Sequence, residues 1–341
     1  MKKNLEFFKI GSNLIKNDNK PYIIAEAGVS HFGSLEKAFK LVDFAYKSGA
    51  SAVKFQHFNT DNFISSRFKK WHNRMKSREL KNEEIFKLAK YAKRKINFLC
   101  TAHDLETLDF LINKIKINAI KIGSGEIMND EYLKYVSKQE LPTIFSTGMH
   151  TERQIKRSIK VLKSGVLRKI AILHCVTSYP TDPKEINLNY MKTISNFFNG
   201  PVGYSDHTFG YKAPLVAASM GASIIEKHIS LDFNIKNAQD WKVSLNQKEL
   251  KKFVNLVNDI FIIRGSKEKV ISTNEKKSII WAKKSIHTNK FIKKGTKIKK
   301  KDLSMLRPGT GLPYSFKNKI IGKIALKNLE KNLKIKLNHF K

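Results

Sequence analysis

The segment Gly203-Tyr204-Ser205-Asp206-His207-Thr208-Phe209-Gly210 sets a serine, an aspartate and a histidine between the apolar Pro201-Val202 and a run at 213–220 that reads as a helix. A strand that enters a polar loop and leaves it as a helix is where α/β proteins carry their chemistry. The arrangement recurs at Ser223-Ile224-Ile225-Glu226-Lys227-His228, an apolar strand ending in three ionisable side chains. As neighbouring parallel strands, the two segments bring His207 and His228 out at one end of one sheet. Two imidazoles there can hold one divalent metal, although a two-histidine set lacks the third protein ligand usual for zinc.

Working outward, the same unit repeats. Short apolar runs at 22–27, 52–58, 97–101, 119–122, 143–146, 170–175, 202–204 and 224–228 alternate with helical patterns, the signature of parallel strands covered by crossover helices. Eight βα units over about 240 residues fit a (β/α)8 barrel in count and size. A doubly wound open sheet is the runner-up, but the Gly-x-Gly-x-x-Gly turn after the first strand is missing. The barrel also predicts usable chemistry at every strand end. Those ends carry Glu26, Lys54 with Gln56, Thr101, Lys121 with Ser124 and Glu126, Ser146, Thr177 with Tyr179, Ser205 with His207, and Glu226 with His228.

The 341 residues suggest a barrel domain over 1–263, a charged linker over 264–282 and a small β-rich module over 283–341, with turns at Lys294-Gly295 and Pro308-Gly309-Thr310-Gly311. A module of that size buries little alone and calls for a docking surface. Neither a membrane span nor a signal peptide is visible, so the cytoplasm is the expected location. Cys100 and Cys175 both lie in apolar runs and read as buried free thiols. The formal charge of +36 comes mostly from lysines spread along helices and loops. Few arginines, no zinc-finger spacing and no aromatic nucleic-acid platform accompany it, so a solvated surface is favoured over nucleic acid as a partner.

Taken together, Ile24-Ala25-Glu26-Ala27-Gly28, Val53-Lys54-Phe55-Gln56, Lys121-Ile122-Gly123-Ser124-Gly125-Glu126, Ser146-Thr147-Gly148-Met149, Leu173-His174-Cys175, Ser205-Asp206-His207-Thr208 and Glu226-Lys227-His228 resemble the sialic acid synthase family, which includes legionaminic and pseudaminic acid synthases. The tail, with Lys294-Gly295 and Arg307-Pro308-Gly309-Thr310-Gly311, resembles the antifreeze-like (SAF) domain that closes those enzymes. The resemblance implies a TIM barrel followed by that domain. It also implies condensation of phosphoenolpyruvate with an N-acetylmannosamine-type amino sugar and water, giving phosphate and a nine-carbon 2-keto acid. A 6-deoxy diacetamido sugar is the alternative acceptor.

Residue by residue, the resemblance makes Lys54 and Lys121 the clamp for phosphoenolpyruvate, with Thr101, Ser124, Ser146 and Ser205 as hydrogen-bonding partners of its phosphate or carboxylate. His207 and His228 match manganese ligands, with magnesium or another divalent cation as the alternative, and Glu26 matches a proton-handling carboxylate. Gln56, Glu126, Thr177, Tyr179 and Asp240 fall on substrate-side positions, and Arg307 matches an arginine inserted from the second subunit of a domain-swapped homodimer. Three departures concern the acceptor. Thr177 stands where relatives typically have asparagine, Gln239-Asp240-Trp241 replaces Pro-Asp-His, and the 60–80 loop is short. Trp241 is thereby a candidate aromatic face for an acetamido methyl or a 6-deoxy carbon. A Schiff-base aldolase using Lys121, or a non-catalytic sugar-binding protein, would explain the barrel with different chemistry.

Overall fold

The computed structural model describes residues 6–236 and 238–341. It divides into two compact units, Met1–Gly265 and Ser266–Lys341. In the first, a hairpin of β1 (Phe7–Ile10) and β2 (Asn13–Lys16) precedes eight parallel strands: β3 (Tyr22–Gly28), β4 (Ala52–His57), β5 (Asn97–Ala102), β6 (Ile120–Ile122), β7 (Thr143–Ser146), β8 (Ile170–Cys175), β9 (Val202–Asp206) and β10 (Ile224–His228). They close as a barrel in chain order, β10 pairing with β3. The (β/α)8 expectation is met.

Strand alternation divides each strand between two environments. Side chains two residues apart share a face, so one parity of every strand fills the barrel axis. At its lower end that parity supplies Ile24, Ala52, Leu99, Ala119, Ile144, Leu173 and Ile224, a cluster that Phe8, Ile10 and Ile15 of the hairpin join. The opposite parity, including Ile23, Val53, Phe55, Phe98, Ile122, Phe145 and Ile225, packs in one continuous core with helix residues such as Leu41, Leu88, Leu133, Ile155 and Phe253. Burying a side chain of this size stabilises by roughly 1.5–3 kcal/mol. The hairpin was not anticipated from the sequence. Its signal was the alternation of Phe8 and Ile10 with polar neighbours, then Gly11, whose positive φ of 59° suits the tight turn.

The helices begin where the residues can cap them. Ser34 accepts from the Lys37 N–H, Asp104 from Thr107, Asn129 from Tyr132, and Thr151 from Gln154. The 60–80 stretch, read as a short cover loop, folds into two helices, Thr60–Phe63 and Lys69–Lys76. Its Ile64 and Met75 pack with Val29 and Phe58, with Phe63 and Trp71 against them. No helix among the described residues is long and apolar enough to cross a membrane.

The second unit has its own core of Ile286, Ile292, Ile298, Leu303, Ile320, Leu329, Ile335 and Phe340 around a strand pair, Ser285–Thr288 with Leu303–Leu306. The stretch read as a charged linker is partly helical. Arg264 ends the helix Gln247–Arg264, and Thr273–Ala282 forms another whose start is capped by Ser272 accepting from the Glu275 N–H. Charge density suggested a linker, whereas the Ser-Thr-Asn-Glu start is a capping signal.

Candidate active site

The parity that fills the barrel floor with hydrocarbon turns polar one step up each strand. Two residues beyond Ile24 stands Glu26; beyond Ala52, Lys54 and then Gln56; beyond Leu99, Thr101; beyond Ala119, Lys121; beyond Ile144, Ser146; and beyond Ile224, Glu226 and then His228. These side chains line a cavity of about 170 Å3 with Ser124, Thr177, Tyr179, Ser205 and His207. All the predicted site residues are there except Glu126, Asp240 and Arg307. Glu126 lies behind His103, 3.7 Å from its Nδ1, and accepts from Asn129 Nδ2. Asp240 approaches from the loop after β10. A Cβ built on Gly28 would lie 3.3 Å from Glu26 Oε1, 3.4 Å from Gln56 Nε2 and 3.7 Å from Asp240 Oδ2, so the three polar groups meet over that glycine. Arg307 belongs to the second unit, where it is exposed and makes no hydrogen bond or ion pair among the described residues.

Four buried charges form the floor of this cavity. Lys54 Nζ lies 2.9 Å from Glu26 Oε2 and 3.6 Å from Glu226 Oε2, and Lys121 Nζ lies 3.6 Å from Glu226 Oε1. The first contact is an ion pair without hydrogen-bond alignment, since Glu26 Oε2 has no hydrogen-bond partner. Lys54 also donates to Thr101 Oγ1 at 3.0 Å, Lys121 to Ser146 Oγ at 2.7 Å, and Ser205 Oγ to Glu226 Oε1 at 3.0 Å. Burial raises the Glu26 pKa, with Lys54 opposing and Glu226 reinforcing. For Glu226 burial acts in the same direction, but Lys121 and Lys54 together bring the pKa below the usual value. Burial and the neighbouring Lys54 charge lower the pKa of Lys121 despite Glu226. Glu226 therefore bridges the two lysines. Its sequence position was quoted as part of a motif, but no role was expected of it. Strand parity with His228 was the available signal. His103, Met149 and Cys175 line the cavity too and were likewise unassigned.

On the opposite wall, His207 Nδ1 lies 2.7 Å from the Val176 carbonyl, which fixes the proton there and leaves Nε2 with its lone pair, 2.8 Å from the Tyr179 hydroxyl. The His207 and His228 rings are 5.3 Å apart, and buried His228 Nδ1 has no hydrogen-bond partner. Burial above all lowers the His228 pKa well below its ordinary value, keeping that imidazole neutral as a metal ligand requires, whereas at His207 the lowering by burial is outweighed by Cys175 and the Val176 carbonyl, which raise the pKa. Two available imidazoles in this setting fit a hard divalent cation completed by water or substrate oxygens. Among the described residues no group of three or more His, Cys, Asp and Glu could hold an ion. Behind the wall, the outward parity of the same strands places Lys227 Nζ 2.5 Å from Asp206 Oδ2 and 2.6 Å from the Thr208 carbonyl, tying the His207 loop to β10.

The departures also find their places. Thr177 lines the cavity, and a Cβ on Gly148 would come within 2.2 Å of its Oγ1, so any side chain at 148 would have to displace the Thr177 hydroxyl. Trp241 donates its indole N–H to the Ile235 carbonyl at 3.1 Å and is not among the residues lining this cavity.

The NeuB family model matches residues 41–269, and a SAF domain model matches 283–341. The chain is 39% identical over 329 residues to an N,N'-diacetyllegionaminic acid synthase of Campylobacter jejuni, covering 92% of this chain and 98% of that protein. It is 36% identical over 345 residues to the N,N'-diacetyllegionaminic acid synthase of Legionella pneumophila, covering 94% and 96%. Among solved structures, the sialic acid synthetase of Leptospira borgpetersenii in complex with citrate superposes with a TM-score of 0.75 at 31% identity, over 82% of this chain and 97% of that one.

Proposed function

This chain belongs to the NeuB family of phosphoenolpyruvate-dependent carbon–carbon bond-forming enzymes, and from that membership we propose that its acceptor is a 6-deoxy diacetamido sugar of the mannosamine type. C3 of phosphoenolpyruvate attacks the aldehyde carbon, the aldehyde oxygen becomes a hydroxyl, water adds at C2 and phosphate departs. The product is a nine-carbon 2-keto acid of the legionaminic type. The observation that carries the choice of sugar is the near full-length similarity to two diacetyllegionaminic acid synthases. N-acetylmannosamine, the first expectation from the sequence, becomes the second reading.

Lys54 and Lys121 receive the anionic groups of phosphoenolpyruvate, exchanging their carboxylate neighbours for the substrate, with Thr101, Ser124, Ser146 and Ser205 as the surrounding hydrogen-bonding groups. Their support is convergence on one small, buried cavity. Glu26, beside Lys54 and Gln56, handles the proton of the water that adds at C2. NeuB-family enzymes generally use a divalent cation; His207 and His228 would hold it, manganese or magnesium, and it would supply polarisation of the aldehyde oxygen. Gln56, Tyr179, Glu126, Thr177 and Asp240 orient the sugar, and Arg307 comes from the partner of a domain-swapped homodimer.

The test is to supply the purified protein with phosphoenolpyruvate and each sugar, with and without a chelator, and to follow phosphate release and product mass. Phosphate should appear only with a sugar, stop on chelation, return on adding manganese, and run faster with the diacetamido sugar. Turnover with N-acetylmannosamine alone would overturn the choice of sugar. Trapping of substrate on Lys121 by borohydride would overturn the reaction itself.

A further inference from the structure

The catalytic cavity, at about 170 Å3, is smaller than the usual 300–1,000 Å3 of small-molecule sites, so a sugar that reaches it must extend beyond it. A second cavity of about 410 Å3 lies between the loop after β3 and the helix Lys69–Lys76. Asp240 relates the two. Its Oδ2 shares the space over Gly28 with Glu26 and Gln56 of the catalytic cavity, and the loop that carries it supplies Ile235 and Lys236 to the wall of the second one.

The walls of that second cavity pair guanidinium groups with aromatic rings. Arg74 Cζ stands 4.9 Å from the Trp71 ring centre, and Arg78 Cζ stands 5.1 Å from that of Phe32. At these distances each guanidinium lies over the face of its ring, a cation–π contact that restrains the side chain. Arg74 Nε is buried and has no hydrogen-bond partner. A ligand group that answers both features has a carbonyl oxygen for the guanidinium and a methyl for the ring, which is an N-acyl group. A phosphate would also attract Lys70 and Lys236 at the cavity's edge. It would, however, answer the cations alone and leave the apolar faces of Phe32, Phe68 and Trp71 without a partner.

We propose that this cavity is the subsite for the second acetamido group of the acceptor, the one further from the aldehyde, with Arg74 donating to its carbonyl and Trp71 receiving its methyl. The proposal rests on the diacetamido reading above and locates the discrimination between sugars. Trp71 thus takes the part expected of Trp241.

Steady-state kinetics of wild type, Trp71→Ala and Arg74→Met would be measured with the 6-deoxy diacetamido sugar, N-acetylmannosamine and N-acetylmannosamine 6-phosphate. Losing a hydrogen bond to a charged group should lower the kcat/KM ratio of diacetamido sugar to N-acetylmannosamine by at least ~10-fold, mainly through KM. Arg74→Met keeps the apolar stem and guards against a packing defect in Trp71→Ala, and an unaltered KM for phosphoenolpyruvate would confirm an intact barrel. Parallel losses on both sugars in the variants would overturn the subsite while leaving the diacetamido reading in place. A wild-type preference for the phosphorylated sugar that Arg74→Met abolishes would overturn it in favour of an anion site. No turnover of the diacetamido sugar by the wild type would overturn the reading and the subsite together.

Discussion

Glu26 and Lys54 face each other across β3 and β4, Cα partners in the strand register, with Oε2 and Nζ 2.9 Å apart and neither side chain more than 4% exposed. The lysine proposed to receive phosphoenolpyruvate is thus held in an internal ion pair. Breaking such a pair from one side leaves a buried charge uncompensated, whereas replacing both members is far milder.

Lys54→Met should accordingly destabilise the barrel by about 3 kcal/mol, and Lys54→Met/Glu26→Gln should recover most of that loss. Neither variant should bind phosphoenolpyruvate as the wild type does. Urea midpoints and titration calorimetry on the four members of the cycle test this; additive stability losses would show that the pair is not coupled.

Arg307 is exposed and makes no hydrogen bond or ion pair among the described residues, in place of the turn-bracing contacts a purely structural arginine would make. If it serves the site of a partner subunit, Arg307→Ala and His207→Ala should each be inactive, and an equal mixture should regain roughly a quarter of wild-type turnover, because half the dimers are mixed and each has one intact site. Subunit exchange verified by native mass spectrometry with no recovery would place Arg307 outside the partner's site.

His31 supplies a pH dependence of stability separate from the catalytic cavity. It is 1% exposed, its Nδ1 accepts from the Gly33 N–H at 3.1 Å, and burial followed by the Arg78 charge lowers its pKa to about 4. The folded state binds a proton less readily than the unfolded chain, so the contribution is complete above the ordinary histidine pKa of about 6.5 and declines as pH falls toward 4. Between pH 7 and 4.5 the wild type should lose ~2–3 kcal/mol more than His31→Asn, read from urea midpoints. Equal losses in the two proteins would remove His31 from the account.

Much of this was legible in the chain. The eight alternating βα units, and strand ends carrying Glu26, Lys54, Lys121, Ser146, Ser205, His207 and His228, follow from hydrophobic periodicity and from the rule that barrel chemistry sits where strands end. Thr177, Tyr179 and Ser124, read at strand ends, line the same cavity. The first hairpin was missed because two four-residue strands lack the length that makes periodicity visible.

By itself the sequence determined which residues face inward, because side chains two apart on a strand share a face whatever the strand's neighbours are. Only the tertiary structure decided which of those residues touch. Glu226 reaches Lys54 and Lys121 across the closed barrel, Asp240 meets Glu26 over Gly28, and Arg74 lines a cavity with Ile235 and Lys236 while Trp241 turns to the Ile235 carbonyl. Those contacts depend on closure of β10 onto β3 and on the path of two loops. Both are set by the packing of segments some 200 residues apart, for which no local pattern carries a signal.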